Sequence, residues 1–235
     1  MPHPTLHYIH DPFCGWCYAA APLLSAARQI PGLQIVLHAG GMMSGASRQQ
    51  VTPQLRSYVM QHDANIARMS GQPFGDAYFN GLLLDQNAVF DSTPPITAIL
   101  AADALGGHGL ELLKRIQTAH YVEGRKIAEF AILQELAIEI GLDADAFNKA
   151  FQASTGAATE RHLAASRHLL QTIGGRGFPT LALEIDGKLE RLDISAWLGN
   201  PQGFAQQLKQ ALPANTNAKP AEDFSCRSDS CGLPE

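Results

Sequence analysis

Cys14-Gly15-Trp16-Cys17 is the most informative motif of the sequence, because its two cysteines stand where a strand ends and a helix begins. The preceding run, Leu6–His10, has the composition of a short β-strand, and the Ala-rich run from Tyr18 to about Ile30 predicts a helix. A helix N-terminus carries unsatisfied N–H groups and a partial positive charge, both of which favour a thiolate over a thiol. A strand, a Cys-x-x-Cys pair and a helix in this order are typical of a thiol–disulfide redox site.

The segments on either side of a long helical region predict one mixed sheet. Leu33–His38 is a β-branched run that predicts a second strand, and the resulting β-α-β unit is the opening of a thioredoxin-like fold. Thr180–Ile185, the turn Asp186-Gly187 and Lys188–Leu192 predict a hairpin of the same sheet. We therefore expect an α/β chain with a thioredoxin-like fold and a large α-helical insertion.

The predicted domains follow from that interruption. The thioredoxin-like domain is discontinuous, at 1–40 and 174–212; the inserted helical domain covers 41–173, and a flexible tail covers 213–235. The run from Ile127 to Ile138 is apolar over most of its circumference, so we expect it to be the buried central helix of the insertion. The candidate helices of the insertion are about Thr52–Ser70, Phe74–Leu84, Pro94–Leu105, Leu110–Tyr121, Ile127–Ile140, Ala144–Gln152 and Thr155–Ile173.

Composition argues against several classes of partner. The chain of 235 residues has 17 Lys and Arg against 22 Asp and Glu, a net charge of -5, and shows no basic stripe. Nucleic acid and anionic membrane surfaces are therefore disfavoured as partners. The N-terminus has neither the positive region nor the apolar region of a secretory signal, so we expect a cytoplasmic protein if this start is native. In a reducing cytosol, cysteine pairs are catalytic, redox-sensing or metal-binding more often than structural.

The two cysteines of the motif have separate expected roles. Disulfide exchange needs a thiolate that attacks and a second thiol that resolves the mixed disulfide. We expect an exposed Cys14 to attack and a more buried Cys17 to resolve, with Trp16 as an apolar contact for substrate. Half of a zinc site or a chance occurrence is the alternative for the pair. Covering the neighbouring helix is the alternative for Trp16.

Phe178-Pro179-Thr180 is the second part of the expected site, because Pro179 opens a strand after a glycine-rich approach. Thioredoxin-like sites place a cis-proline here, facing the cysteine pair, and cis peptides are essentially confined to proline. The backbone of Phe178 would then pair with an extended substrate segment. An ordinary trans proline, with Phe178 in the core, is the alternative.

With these motifs the chain resembles the DsbA family of thiol–disulfide oxidoreductases, and more narrowly its cytosolic FrnE-like branch, often labelled protein-disulfide isomerase. The resemblance covers nearly the whole chain. It rests on the stretches His10–Tyr18, Ser92–Pro95, Ala119–Ile127, Gly141–Asp143 and Gly177–Thr180. It implies a thioredoxin fold interrupted by an α-helical domain, disulfide-containing proteins or peptides as substrates, glutathione or a thioredoxin-type protein as reductant, and no cofactor.

The chain departs from that family at two places. Gly15-Trp16 stands where strongly oxidising periplasmic members have Pro-His, which argues against a strong oxidase. Phe178 stands where many relatives have Val or Thr, which changes the substrate groove. The net direction of electron flow, as oxidase, reductase or isomerase, stays open at this point.

Further candidates lie at the two ends of the chain. Cys226 and Cys231 resemble a C-terminal pair of some FrnE-like proteins, and as a secondary redox pair they would pass electrons to the active-site pair. Idle tail thiols, a small adventitious disulfide, or a zinc site made by all four cysteines are the alternatives. His10 and Asp11 precede the nucleophile and are candidates for proton transfer, with solvation or ordinary hydrogen bonding as the alternative.

Two other function classes share these features. Kappa-type glutathione transferases and hydroxychromene-carboxylate isomerases have a thioredoxin-plus-helices plan but use one activating Ser at the nucleophile position. The presence of both Cys14 and Cys17 argues against them. A non-enzymatic holdase or metal-sequestering module is the remaining alternative. We predict a disulfide reductase or isomerase.

Overall fold

The computed structural model describes residues 3–213 and opens with the predicted β-α-β unit. Strand β1 (Thr5–His10) leads through helix α1 (Gly15–Ala27) to strand β2 (Gln34–Ala39). β1 and β2 are parallel, as a crossover through a helix requires. Cys14 lies in the short connection between β1 and α1.

The sheet is completed by two strands that follow the helical region. β5 (Thr180–Ile185) and β6 (Lys188–Leu192) form an antiparallel hairpin, and the sheet order is β2-β1-β5-β6. Asp186 and Gly187 have φ values of 50° and 77°, the left-handed geometry that an Asp-Gly hairpin turn needs. Helix α8 (Pro201–Ala211) follows and packs on α1.

The register of β1 against β5 brings the two halves of the expected site together. The strands are antiparallel and Thr180 lies opposite Ile9. Consequently Pro179, just before β5, lies at the same edge of the sheet as the residues that follow His10. A four-stranded sheet interrupted by helices between β2 and β5 is the thioredoxin-like architecture predicted from the sequence.

Six helices and a small hairpin lie between β2 and β5. The hairpin consists of β3 (Gln49–Gln50) and β4 (Val89–Phe90), which the sequence did not predict. The helices are α2 (Pro53–Ser70), α3 (Thr93–Ala104), α4 (Gly109–Tyr121), α5 (Phe130–Glu139), α6 (Ala144–Ser154) and α7 (Ala157–Thr172). Among residues 3–213, no helix is both long and apolar enough to cross a membrane.

Two details of the predicted helical region are wrong. The central helix is α3, which packs against α4, α5, α6 and α7 and buries Ile96 and Ile99, whereas α5 leaves Phe130 and Ile138 exposed. The apolar circumference of α5 was misleading because only Leu133, Leu136 and Ala137 are buried. The predicted helix Phe74–Leu84 is a π-turn at Ala77–Gly81 followed by a 3₁₀ turn at Leu82–Leu84.

Candidate active site

Cys14 is the N-cap residue of α1, with extended backbone dihedrals (φ -89°, ψ 113°). Its carbonyl accepts hydrogen bonds from the N–H groups of Cys17 at 2.9 Å and Tyr18 at 3.1 Å. The first turn of α1 carries no acidic residue of its own. The thiol of Cys14 therefore sits at the positive end of a helix, where a thiolate is stabilised.

Both cysteines of the motif are free thiols, and Cys14 is more buried than the sequence suggested. Cys14 is 6% exposed and Cys17 is 0% exposed, so the expectation of an exposed Cys14 is wrong, although the order of exposure holds. The cause is the fold, because the Phe178 segment and the helical region both pack against this end of α1. The Sγ of Cys17 accepts a bond from the Asp11 N–H at 3.5 Å, and burial raises the pKa of the Cys17 thiol, as does the neighbouring Cys14.

The Phe178–Pro179 peptide bond is cis, as predicted. The thiol of Cys14 donates to the carbonyl oxygen of Phe178 at 3.4 Å. The backbone immediately before Pro179 therefore faces the sulfur of Cys14. In this arrangement an extended peptide could run along the Phe178 backbone while its disulfide meets Cys14.

The ring of Phe178 is half-buried against the loop that follows β2. A Cβ added to Gly40 would collide with the Phe178 ring, so a glycine is required at this close approach. Arg167 of α7 fixes the loop, because its guanidinium donates to the carbonyls of Gly40 at 2.7 Å and Gly41 at 2.9 Å. The Phe178 ring thus anchors this segment against the loop, while the Phe178 backbone faces Cys14.

Asp11 is fully buried and its carboxyl is held by three hydrogen bonds. Oδ1 accepts from the Phe13 N–H and the Ser92 hydroxyl, each at 2.9 Å, and Oδ2 accepts from the Met42 N–H at 2.6 Å. Burial raises the pKa of Asp11 to about 6, and these bonds partly oppose the shift. Ser92 is the N-cap residue of α3, but its hydroxyl makes no side-chain cap bond and donates to Asp11 instead. This geometry ties the loop before Cys14 to the start of α3.

His10 is also fully buried, and its ring stacks on Tyr8 with centroids 5.0 Å apart. Neither ring nitrogen has a hydrogen-bond partner among the described residues. Burial lowers the pKa of His10 to about 3, assisted by His162 and His38. The imidazole is therefore neutral over the ordinary pH range and is a weak base.

Trp16 and Pro179 line an open groove of about 460 Å³ beside the cysteine pair. Trp16 is half-buried and makes an edge contact with His62 of α2, with ring centroids 5.8 Å apart. The remaining lining residues combine apolar side chains with charged and polar ones: Met69, Phe178, Leu192, Ile194 and Leu198 with Thr180, Arg191, Asp193 and Ser195. Both the size and the lining suit a small thiol or a short peptide segment.

One acidic residue near the pair was missed by sequence reasoning. Asp63 of α2 is 3% exposed, and its Oδ2 accepts from the hydroxyl of the buried Tyr78 at 2.8 Å. A Cβ on Gly15 would lie 2.9 Å from Asp63 Oδ1 and 2.7 Å from Ile66 Cδ1. The glycine inside the motif was the one available signal, since it indicates a close neighbour without identifying it.

The remaining predicted residues are not brought to this site by the described structure. Cys226 and Cys231 lie outside residues 3–213, and so does half of the four-cysteine zinc site. Within the described part of the chain, no cluster of three or more His, Cys, Asp or Glu side chains could hold a metal ion.

The family model for the DSBA-like thioredoxin domain matches residues 5–212 of this chain. The cytosolic disulfide reductase DsbM from Pseudomonas aeruginosa is 53% identical, with a TM-score of 0.84, over 88% of this chain and 98% of that one. The same protein solved with GSH gives 50% identity and a TM-score of 0.82 over the same shares. A structure from Nitrosomonas europaea, 24% identical with a TM-score of 0.73 over 89% of this chain and 97% of that one, supports the fold alone. No curated protein matches the sequence.

Proposed function

This chain belongs to the DSBA-like thioredoxin domain family and is a thiol–disulfide oxidoreductase, and we propose that it works as a glutathione-linked disulfide reductase in the cytosol. The observation that carries the proposal is the position of Cys14, at the N-terminus of α1 and in contact with the carbonyl before a cis-proline. The likeness to a cytosolic disulfide reductase supports reduction as the direction of electron flow. The likeness to the same protein solved with GSH supports glutathione as the reductant.

In the first half of the proposed cycle a substrate disulfide is reduced. The Cys14 thiolate attacks one sulfur of the substrate, and the other sulfur leaves as a thiolate that takes a proton from solvent. Cys17 then loses its proton and attacks the Sγ of Cys14, which releases the second substrate thiol and leaves a Cys14–Cys17 disulfide. Burial keeps Cys17 protonated until then, because it raises the pKa of this thiol.

Two molecules of glutathione complete the cycle. The first attacks the Cys14–Cys17 disulfide and forms a mixed disulfide, and the second attacks that intermediate and leaves as oxidised glutathione. The net reaction converts one substrate disulfide and two glutathione thiols into two substrate thiols and one glutathione disulfide. We assign Trp16 and the Phe178–Pro179 backbone to substrate binding, since they border the groove beside Cys14. We assign Asp11 to holding the loop rather than to proton transfer, since its carboxyl oxygens are occupied by hydrogen bonds.

The test is reduction of insulin disulfides with glutathione as the sole reductant, with oxidised glutathione measured by a coupled NADPH assay. We expect turnover that depends on glutathione and is abolished by Cys14→Ser. Reduction that proceeds only when a thioredoxin-type reductant replaces glutathione would contradict the glutathione link. Activity in the Cys14→Ser protein would contradict the mechanism itself.

A further inference from the structure

Asp63 places a buried carboxyl against the first turn of the helix that carries both cysteines. Its Oδ1 lies 2.9 Å from where a Cβ of Gly15 would be, although Asp63 belongs to α2 of the helical region. Gly15 is the first residue of α1, and that turn contains no acid of its own. Helix α2 therefore places a carboxylate at the positive end of α1.

Tyr78 is the titratable group that contacts Asp63 directly, and Tyr121 lies behind it. The Tyr78 hydroxyl donates to Oδ2 at 2.8 Å, and its ring packs on that of Tyr121 with centroids 5.4 Å apart. Burial raises the pKa of Tyr121, and negative charge on Tyr78, Asp63, Cys14 or Cys17 acts in the same direction. Asp63, Cys14 and Cys17 therefore all surround the one buried hydroxyl of Tyr121.

The protonation state of Asp63 changes within an accessible pH range. Burial raises the pKa of Asp63 to about 6, and the hydrogen bond from Tyr78 opposes part of that shift. The carboxyl is thus mostly ionised above pH 7 and mostly neutral below pH 5. Asp63→Asn removes the charge at every pH. It is a matched variant because the Asn side chain keeps an oxygen that can accept from Tyr78.

We propose that Asp63 is a positioning residue that makes the Cys14–Cys17 pair a better reductant, by opposing negative charge on Cys14 in the reduced enzyme. This inference deepens the proposed function and rests on it. Reduction of the disulfide by two glutathione molecules yields a Cys14 thiolate, a Cys17 thiol, oxidised glutathione and one proton. An ionised Asp63 raises the free energy of that thiolate and leaves the neutral disulfide almost unaffected. A pair whose reduced form is less stabilised gives up its electrons more readily.

The first measurement is the equilibrium of Asp63→Asn with reduced and oxidised glutathione at pH 7.5. We expect the equilibrium to move about three- to tenfold toward the reduced pair, and tenfold corresponds to about 30 mV for this couple. Asp145→Asn removes an exposed acid from α6 and should leave the equilibrium unchanged. An unchanged equilibrium in a folded Asp63→Asn protein would overturn the inference.

The second measurement follows alkylation of Cys14 by iodoacetamide against pH in a Cys17→Ser background. Asp63→Asn should move the midpoint of alkylation to lower pH, because no carboxylate then opposes the thiolate. Tyr78→Phe keeps the acid but removes the bond that favours its ionised form, so the profile should move the same way by less. It also serves as the second variant if Asp63→Asn does not fold, and identical profiles in both would reject the role. Failure of Cys14 to alkylate in any variant would instead contradict the proposed nucleophile.

Discussion

The Cys14 thiol donates a hydrogen bond to the carbonyl oxygen of Phe178 at 3.4 Å, across 164 positions of the chain. The bond belongs to the protonated thiol, because a thiolate has no proton to donate. A substrate peptide that pairs with the Phe178 backbone would offer its own N–H to this carbonyl. The substrate N–H can therefore take the place of the Cys14 thiol at the Phe178 carbonyl when Cys14 loses its proton.

The two cysteines should give different phenotypes when each is replaced by serine. Cys14→Ser should abolish insulin reduction, because no attacking thiolate remains. Cys17→Ser should still attack but accumulate mixed disulfides, because nothing resolves them. Mass spectrometry of the alkylated proteins distinguishes the two outcomes. Equal accumulation of adducts on both variants would contradict the assigned order.

Gly40→Ala should disturb the site through the Phe178 ring. A Cβ at this position collides with that ring, so the ring and its backbone must move away from Cys14. We expect the free energy of unfolding to fall by about 1–3 kcal/mol, as for an overpacked core, and the KM for insulin to rise. Gly81→Ala is the control, because a Cβ there meets nothing within 4 Å. Wild-type stability and KM in Gly40→Ala would contradict this packing.

Asp63→Asn should change how stability depends on pH. Because the pKa of Asp63 is raised to about 6 from 3.8, its contribution to stability is present below pH 4 and is lost as pH rises through 6. The Asn variant does not lose stability in this way, because its side chain does not titrate. The variant should therefore gain about 1–3 kcal/mol of unfolding free energy relative to the wild type between pH 4 and pH 7.5. Urea unfolding of the reduced proteins across this range measures the difference, and Asp11 cancels because both proteins retain it. If the difference in unfolding free energy does not change with pH, Asp63 is not the group that titrates in this range.

Trp16→Ala should weaken binding of protein disulfides more than it slows the chemistry. Trp16 lines the groove and lies outside the exchange steps, so the KM for insulin should rise about three- to tenfold, which is about 1 kcal/mol. Tyr58→Ala is the matched control, since Tyr58 is an exposed aromatic of α2 that contacts His62 but does not line the groove. An unchanged KM in Trp16→Ala would show that Trp16 only packs on the neighbouring helix and does not bind substrate.

Cys226 and Cys231 remain a prediction from the sequence, since they lie outside the described residues. Replacing both by serine should slow turnover at limiting glutathione, while the alkylation rate of Cys14 stays at its wild-type value. Stopped-flow reduction of the oxidised enzyme measures the first quantity. Identical kinetics at every glutathione concentration would show that the pair is not a relay.

Local rules account for what could be predicted. A Cys-x-x-Cys pair after a strand, a proline opening a later strand and an Asp-Gly turn are each encoded by adjacent residues, and the structure has all three. The cap of α6 is an equally local feature, since the Asp143 side chain accepts from the N–H of Ala146, three residues on. The boundaries of α2 to α7 agree with the predicted ones within three residues for the same reason.

Contacts between distant segments account for what could not be predicted. Asp11 looked like a proton-transfer candidate, yet Ser92 and the Met42 backbone occupy its carboxyl oxygens. The apolar run in α5 looked central, yet α3 holds that place because of how the other helices pack on it.

Gly15 shows where the two kinds of information separate. A redox-active pair at the start of a helix can be predicted from local residues, because strand, turn and helix propensities act over a few neighbouring positions. The position of Asp63 against that turn depends on how α2 packs on α1 and could not be predicted. A buried charge acts through space, so its effect depends on helix packing rather than on separation along the chain.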